Sequence, residues 1–129
     1  MSDNAAVVQA LYEAFRRGDI DAILGMVDPE VEWSASRSLP YGGPYERREG
    51  LLAFFQGIAR AWRALTIEVE AMGEISPGLV ASVFRASGSL RGHGEASFEA
   101  VQVFTIEGGL ITRVREYVDL DEPLGAPKA

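Results

Sequence analysis

Apolar residues near the start of the chain recur at helical spacing. Val7, Val8, Leu11 and Phe15 form one stripe and predict a helix over Asp3–Arg17. Arg16 and Arg17 suit the negative C-terminal end of that helix, and Gly18 supplies a left-handed cap. Asp19 caps a short second helix in which Ile20, Ile23, Leu24 and Val27 are apolar. Asp28-Pro29 ends it, because the residue before a proline avoids helical angles. Between Val31 and Ala35 the period drops to two, with Val31, Trp33 and Ala35 alternating with Glu32 and Ser34, so this segment reads as a strand. The stretch Ser36–Pro44 is rich in turn formers and reads as a loop. A third helix is predicted over Glu46–Ala64, with Leu51, Phe54, Phe55, Ile58 and Trp62 on its apolar stripe.

The remainder reads as a four-stranded meander over Thr66–Ile75, Leu79–Leu90, Ala96–Ile106 and Leu110–Leu120. Its turns fall at Ser76-Pro77-Gly78, Gly92-His93-Gly94 and Gly108-Gly109. The tail from Asp121 carries two prolines and is expected to be loose. Helices first and long strands afterwards give an α+β class, with three helices on one face of a sheet. Strands of this length must bend strongly, so the expected form is a cone-shaped roll around a hollow interior. No linker or repeat interrupts residues 1–129, which read as one domain.

Composition narrows the chemistry. The chain has 129 residues, no cysteine and a formal net charge of −7. The acidic balance argues against a nucleic-acid partner, since such partners need a basic face. No apolar run approaches the roughly 20 residues needed to span a bilayer, and no export signal is visible, so no membrane partner and a cytoplasmic location are expected. Without cysteine there is no thiolate ligand or nucleophile, and the single histidine makes no metal cluster. No glycine-rich phosphate loop is present. Neither a cofactor nor a metal is expected.

The last strand is the most informative segment. Arg113, Arg115, Tyr117 and Asp119 share one face and Val114, Glu116 and Val118 the other. The charged face belongs to water or a partner chain, so Glu116 is expected to point inward among apolar groups, where a carboxylate can act as general acid or base. The competing reading is a rim glutamate with a solvated head. Arg85, mid-strand between Phe84 and Ala86, is the expected partner of Glu116, or else an exposed arginine. Asp119 is the second choice for acid–base work if a bulge turns it inward. His93, in a predicted turn, is either solvated or near the mouth of the hollow. Tyr12, Phe15, Trp33, Phe54, Phe55 and Trp62 lie on inward stripes and are candidate pocket walls as well as core. Trp33 offers both a flat face and an N–H donor. Tyr41 and Tyr45 sit on the glycine- and proline-rich loop, a candidate lid. Apolar residues on both sides of the predicted middle strands, among them Val80, Phe84, Val101 and Val103, suggest that the outer sheet face pairs two chains into a homodimer.

The element order, together with Gly18-Asp19-Ile20-Asp21-Ala22-Ile23, Val31-Glu32-Trp33, Pro40-Tyr41-Gly42-Gly43-Pro44-Tyr45 and Glu116-Tyr117-Val118-Asp119, resembles the NTF2-like superfamily. The match is to its SnoaL-like and ketosteroid-isomerase-like branch. The resemblance implies a pocket and a sheet-mediated dimer without fixing a reaction. Epoxide-hydrolase relatives use an Arg-x-Asp pair and a last-strand aspartate; Arg85 and Glu116 match two of these positions, while Ser87 stands at the third. Steroid isomerases use a tyrosine on the first helix, an aspartate ending the first strand and an acid on a later strand. Here Leu11, Ser34 or Trp33, and Gln102 occupy those positions, with Tyr12 one residue away, so steroid isomerisation is not expected. Gln102 remains a candidate ligand-binding residue. Two readings follow: a cofactor-free enzyme doing acid–base chemistry on a small apolar or polycyclic molecule, or a non-catalytic ligand-binding or dimerisation module.

Overall fold

Ser2 starts helix α1 (Asp3–Arg17) by accepting the Ala5 N–H at 3.1 Å, and Gly18, at φ 71°, closes it. Asp19 caps α2 (Ile20–Gly25) by accepting the Ala22 N–H at 3.1 Å. The chain continues through β1 (Val27–Ala35), β2 (Gly43–Glu46), α3 (Arg47–Ala61), β3 (Trp62–Ser76), β4 (Leu79–Leu90), β5 (Gly94–Glu107) and β6 (Leu110–Asp119). This computed structural model describes residues 1–120 and 124. The expectation for the tail lies largely outside the described residues.

The six strands form one sheet in the order β2-β1-β6-β5-β4-β3. All neighbours are antiparallel except β1 and β6, which run parallel. Register shifts interrupt β3–β4 near Trp62, Val69 and Glu74, and β5–β6 near Thr105. Such bulges raise local twist, and here they curl the long strands around the helices. Val8, Ile23, Leu51, Phe104 and Ile111 are fully buried where α1, α2 and α3 meet the concave face. Among the described residues no helix is long and apolar enough to cross a membrane.

Three element boundaries differ from the sequence pattern. The sheet has a sixth strand: β2 forms on Gly43–Glu46, partly inside the expected loop, and pairs Tyr45 with Trp33. The Gly-Pro pair hid it, but Pro44 lies on an edge strand, where a missing N–H is tolerated. β1 begins at Val27 and carries Asp28-Pro29 within it; exposed Pro29 lies where the β1–β6 register shifts between Val27 and Glu32. Helix α3 ends at Ala61 instead of Ala64, because Trp62 pairs with Leu90 and the Arg91 N–H donates to the Ala61 carbonyl at 2.8 Å. Long-range pairing overrides the helical periodicity there.

Candidate functional site

The concave face carries one row of polar side chains. Ser82 on β4 faces Gln102 on β5, and Gln102 faces Glu116 on β6. All three are buried, with Glu116 9% exposed. They stand at inward positions of strands otherwise filled by Val80, Phe84, Ala100, Phe104 and Val114. Tyr12 descends from α1 onto the row. Its hydroxyl donates to Gln102 Oε1 at 2.5 Å and lies 2.6 Å from Ser82 Oγ. With the phenolic proton given to Gln102, the Ser82 hydroxyl donates to Tyr12. The contact also orients the Gln102 amide, so that its Nε2–H donates to Glu116 Oε2 at 3.0 Å. The Ser36 N–H, just beyond β1, donates to Glu116 Oε1 at 3.4 Å.

Burial is the main influence on Glu116 and pushes its carboxyl above the usual carboxylate range; the Ser36 and Gln102 hydrogen bonds oppose that push only in part. Burial also raises the Tyr12 and Tyr41 phenols, and the nearby Glu116 charge adds to it, so both hydroxyls stay protonated.

Aromatic rings enclose the carboxylate. Trp33 packs against Phe54, Phe55 and Phe104 with ring centroids 5.4, 5.9 and 6.3 Å apart. Tyr41 is folded back over the site by the loop between β1 and β2. Its hydroxyl accepts the Trp62 indole N–H at 3.0 Å, and its carbonyl accepts the Tyr45 hydroxyl at 2.7 Å. The cavity within has a free volume of about 40 Å³, lined by Tyr12, Trp33, Tyr41, Phe84, Phe98, Gln102 and Glu116 among others. That is space for roughly one or a few waters. Phe15, Phe55, Ile58 and Leu65 separate it from an adjoining groove of about 360 Å³. Phe15, Ile58 and Leu65 are only half-buried, so this is the wall that a larger ligand would displace.

Gly42 fixes the loop. A Cβ there would stand 2.0 Å from the Ser36 carbonyl oxygen and 2.7 Å from Arg37 Cα, both backbone atoms. Gly42→Ala should therefore push Ser36 and Tyr41 off the site and cost about 1–3 kcal/mol, as overpacking does. Thermal melting checks this; an unchanged midpoint would mean that the loop has room to give.

The fold matches a known pattern. The model of the SnoaL-like domain family matches residues 8–114. The chain belongs to the SnoaL-like domain family. Its fold is similar to that of an NTF2-like protein from Burkholderia pseudomallei K96243 (TM-score 0.84, 21% identity, 92% of each chain covered). It is also similar to TerC, solved with polyporic acid (TM-score 0.80, 25% identity, 92% of each chain). A third similar structure is a protein from Jannaschia sp. CCS1 designated a SnoaL-like polyketide cyclase (TM-score 0.79, 18% identity, 98% of this chain and 94% of that one). No curated protein matches the sequence.

Within this SnoaL-like frame, the structure gathers Glu116, Tyr12, Phe15, Trp33, Phe54, Phe55 and Gln102 around one cavity. Trp62 is buried beside it and holds Tyr41. Three expected residues lie elsewhere. Arg85 is corrected to the outer face, where its Nη2 is 3.6 Å from Glu99 and its Nε 4.0 Å from Glu70. Asp119 is exposed on that same face opposite Glu99. The regular β5–β6 register there contains no bulge to turn it inward. His93 is half-buried in the β4–β5 turn, outside the cavity lining. Sequence reasoning missed Ser82 and Ser36. Ser82 carried a signal, as the inward position between Val80 and Phe84; Ser36 contributes a backbone N–H and carried none. Among the described residues no group of three or more histidines, cysteines or carboxylates is placed to share a metal ion.

Proposed function

We propose that the chain encloses a small, largely apolar molecule in this cavity and that Glu116 transfers a proton to or from it. The observation that carries this reading is a buried carboxylate, destabilised as an anion, in a cavity whose other walls are mostly apolar. As a base, ionised Glu116 takes a proton; as an acid, the neutral form returns it. Gln102, itself held by Tyr12 and Ser82, keeps one carboxylate oxygen fixed, while Ser36 reaches the other. The fold shared with TerC and with a designated polyketide cyclase fits small-molecule chemistry.

The test incubates the protein in D₂O with a panel of small cyclic hydrocarbons, esters, alcohols and ketones and follows hydrogen exchange at carbon. At least one compound should exchange with the wild-type protein and not with Glu116→Gln. A panel that binds without exchanging would favour the non-catalytic binding module.

We also propose that a second copy covers the outer sheet face. Cross-strand pairs Ala81–Val103, Val83–Val101 and Val101–Tyr117 make one apolar patch there, with Val101 36% and Tyr117 55% exposed. Arg85, Arg115, Glu99 and Asp119 border it with both charge signs, so that a two-fold contact would bring opposite charges within reach of each other at its rim. Val101→Asp should convert a dimer into a monomer in sedimentation. A wild-type protein that sediments as a monomer at micromolar concentration rules the dimer out.

A further inference from the structure

The two oxygens of Glu116 are held unequally. Oε2 receives the Gln102 amide at 3.0 Å, while Oε1 receives only the Ser36 N–H, at 3.4 Å. A protonated carboxyl carries its proton on one oxygen, and a donor facing an oxygen opposes a proton there. Whether the asymmetry survives protonation depends on the Gln102 amide. Turned over, the amide would offer its own oxygen to the acid and accept a proton carried on Oε2. Tyr12 opposes that turn. Its hydroxyl donates to Gln102 Oε1, so a turned amide would set one donor against another. The phenol could swing its hydrogen to Ser82 instead, at the cost of the bond that Ser82 donates to it. The Ser82 hydroxyl has no other partner among the described residues and is 1% exposed, so its hydrogen would be stranded. All three links therefore point the same way, from Ser82 to Tyr12, from Tyr12 to Gln102 and from Gln102 to the carboxyl.

Few ionisable groups face this carboxyl. Among the residues lining the cavity, α1 contributes Tyr12 and the loop between β1 and β2 contributes Tyr41; α3, β1, β3, β4 and β5 contribute none. We propose that Tyr12 is a positioning residue: it keeps Gln102 donating to Oε2 in both protonation states of Glu116, so that Oε1 is the oxygen that gains and loses the proton. The assignment rests on Glu116 being the proton-transfer group of the cavity, and its test needs no substrate.

The test is a pH titration of the glutamate side-chain carboxyls by ¹³C NMR, with Glu116 assigned from Glu116→Gln. The Gln102 side-chain amide is followed in parallel by ¹H–¹⁵N NMR. In the wild-type protein the hydrogen-bonded Gln102 amide proton should stay downfield on both sides of the Glu116 midpoint. Tyr12→Phe keeps the ring against Phe84 and Phe104, each 6.1 Å away between centroids, and frees the amide. Its Glu116 midpoint should rise by about one pH unit, a roughly tenfold gain in proton affinity, because the turned amide favours the neutral acid. The downfield amide signal should then vanish below that midpoint. Gln102→Met removes the amide altogether and should raise the midpoint at least as far. Ser82→Ala should leave both readouts as in wild type, since the Tyr12 hydrogen then has only Gln102 to meet. An unchanged midpoint in Tyr12→Phe, or an equal rise in Ser82→Ala, would overturn the role of Tyr12. A wild-type amide signal lost on protonation would overturn the choice of Oε1. A wild-type midpoint in the ordinary carboxylate range would instead overturn the proton-transfer reading itself.

Discussion

Glu116→Gln should lower the rate of any proton transfer in the cavity by about 10²–10⁴-fold, the usual contribution of a positioned general acid or base. The substitution keeps the shape of the side chain and removes its ability to ionise. Burial raises the folded-state pKa of Glu116 above its unfolded value, so the folded protein holds the extra proton over the interval between the two. Stability conferred by that proton is complete below the unfolded pKa and is lost as the pH climbs through the folded one. Wild type should therefore lose stability relative to Glu116→Gln as the pH rises from about 4 to neutral. Thermal melts of both proteins across that range test this. A constant difference would show that the carboxylate is solvated, and an unchanged exchange rate would remove it from the chemistry.

Phe104→Ala should be the most damaging substitution in the core. Phe104 is fully buried and holds the Tyr12 ring at 6.1 Å and the Trp33 ring at 6.3 Å. Truncating such a residue costs about 3–5 kcal/mol, a large part of the 5–15 kcal/mol typical of a domain. The melting midpoint should fall by on the order of ten degrees or more. The void would adjoin the existing cavity, so benzene should restore part of the loss, as ligands that bind only the folded state do. Denaturation with and without benzene measures both effects. A loss below about 1 kcal/mol would mean that the neighbouring rings collapse into the space.

Much of this arrangement was legible in the alternation of single strands. Val114-Arg115-Glu116-Tyr117-Val118 fixes which face Glu116 takes, and the inward aromatics followed from the helical stripes. The same parity, applied to Phe84 and Ala86, sends Arg85 outward; its position between two apolar residues had left two readings open, a partner for Glu116 or an exposed arginine. Its partners Glu70 and Glu99 sit on neighbouring strands, and only register brings them together. Register likewise aligns Ser82, Gln102 and Glu116 into one row. Family resemblance pointed to Gln102 without revealing that amide's two partners. Tyr41 reaches the site through a loop with no periodicity, and its placement depends on Trp62, Tyr45 and the tight approach at Gly42.

The parallel pairing of β1 with β6 has a consequence for biosynthesis. The first strand lies beside the last, and the Ser36–Glu116 contact spans 80 positions. The hydrogen bonds of α1 and α2 are local in sequence, but β1 must wait for residues near 111–115 to be translated before it gains that neighbour. Until then that edge of β1 has an unpaired ladder of backbone groups, and the interval before the final strand arrives is when the nascent chain is most open to pairing with the wrong strand.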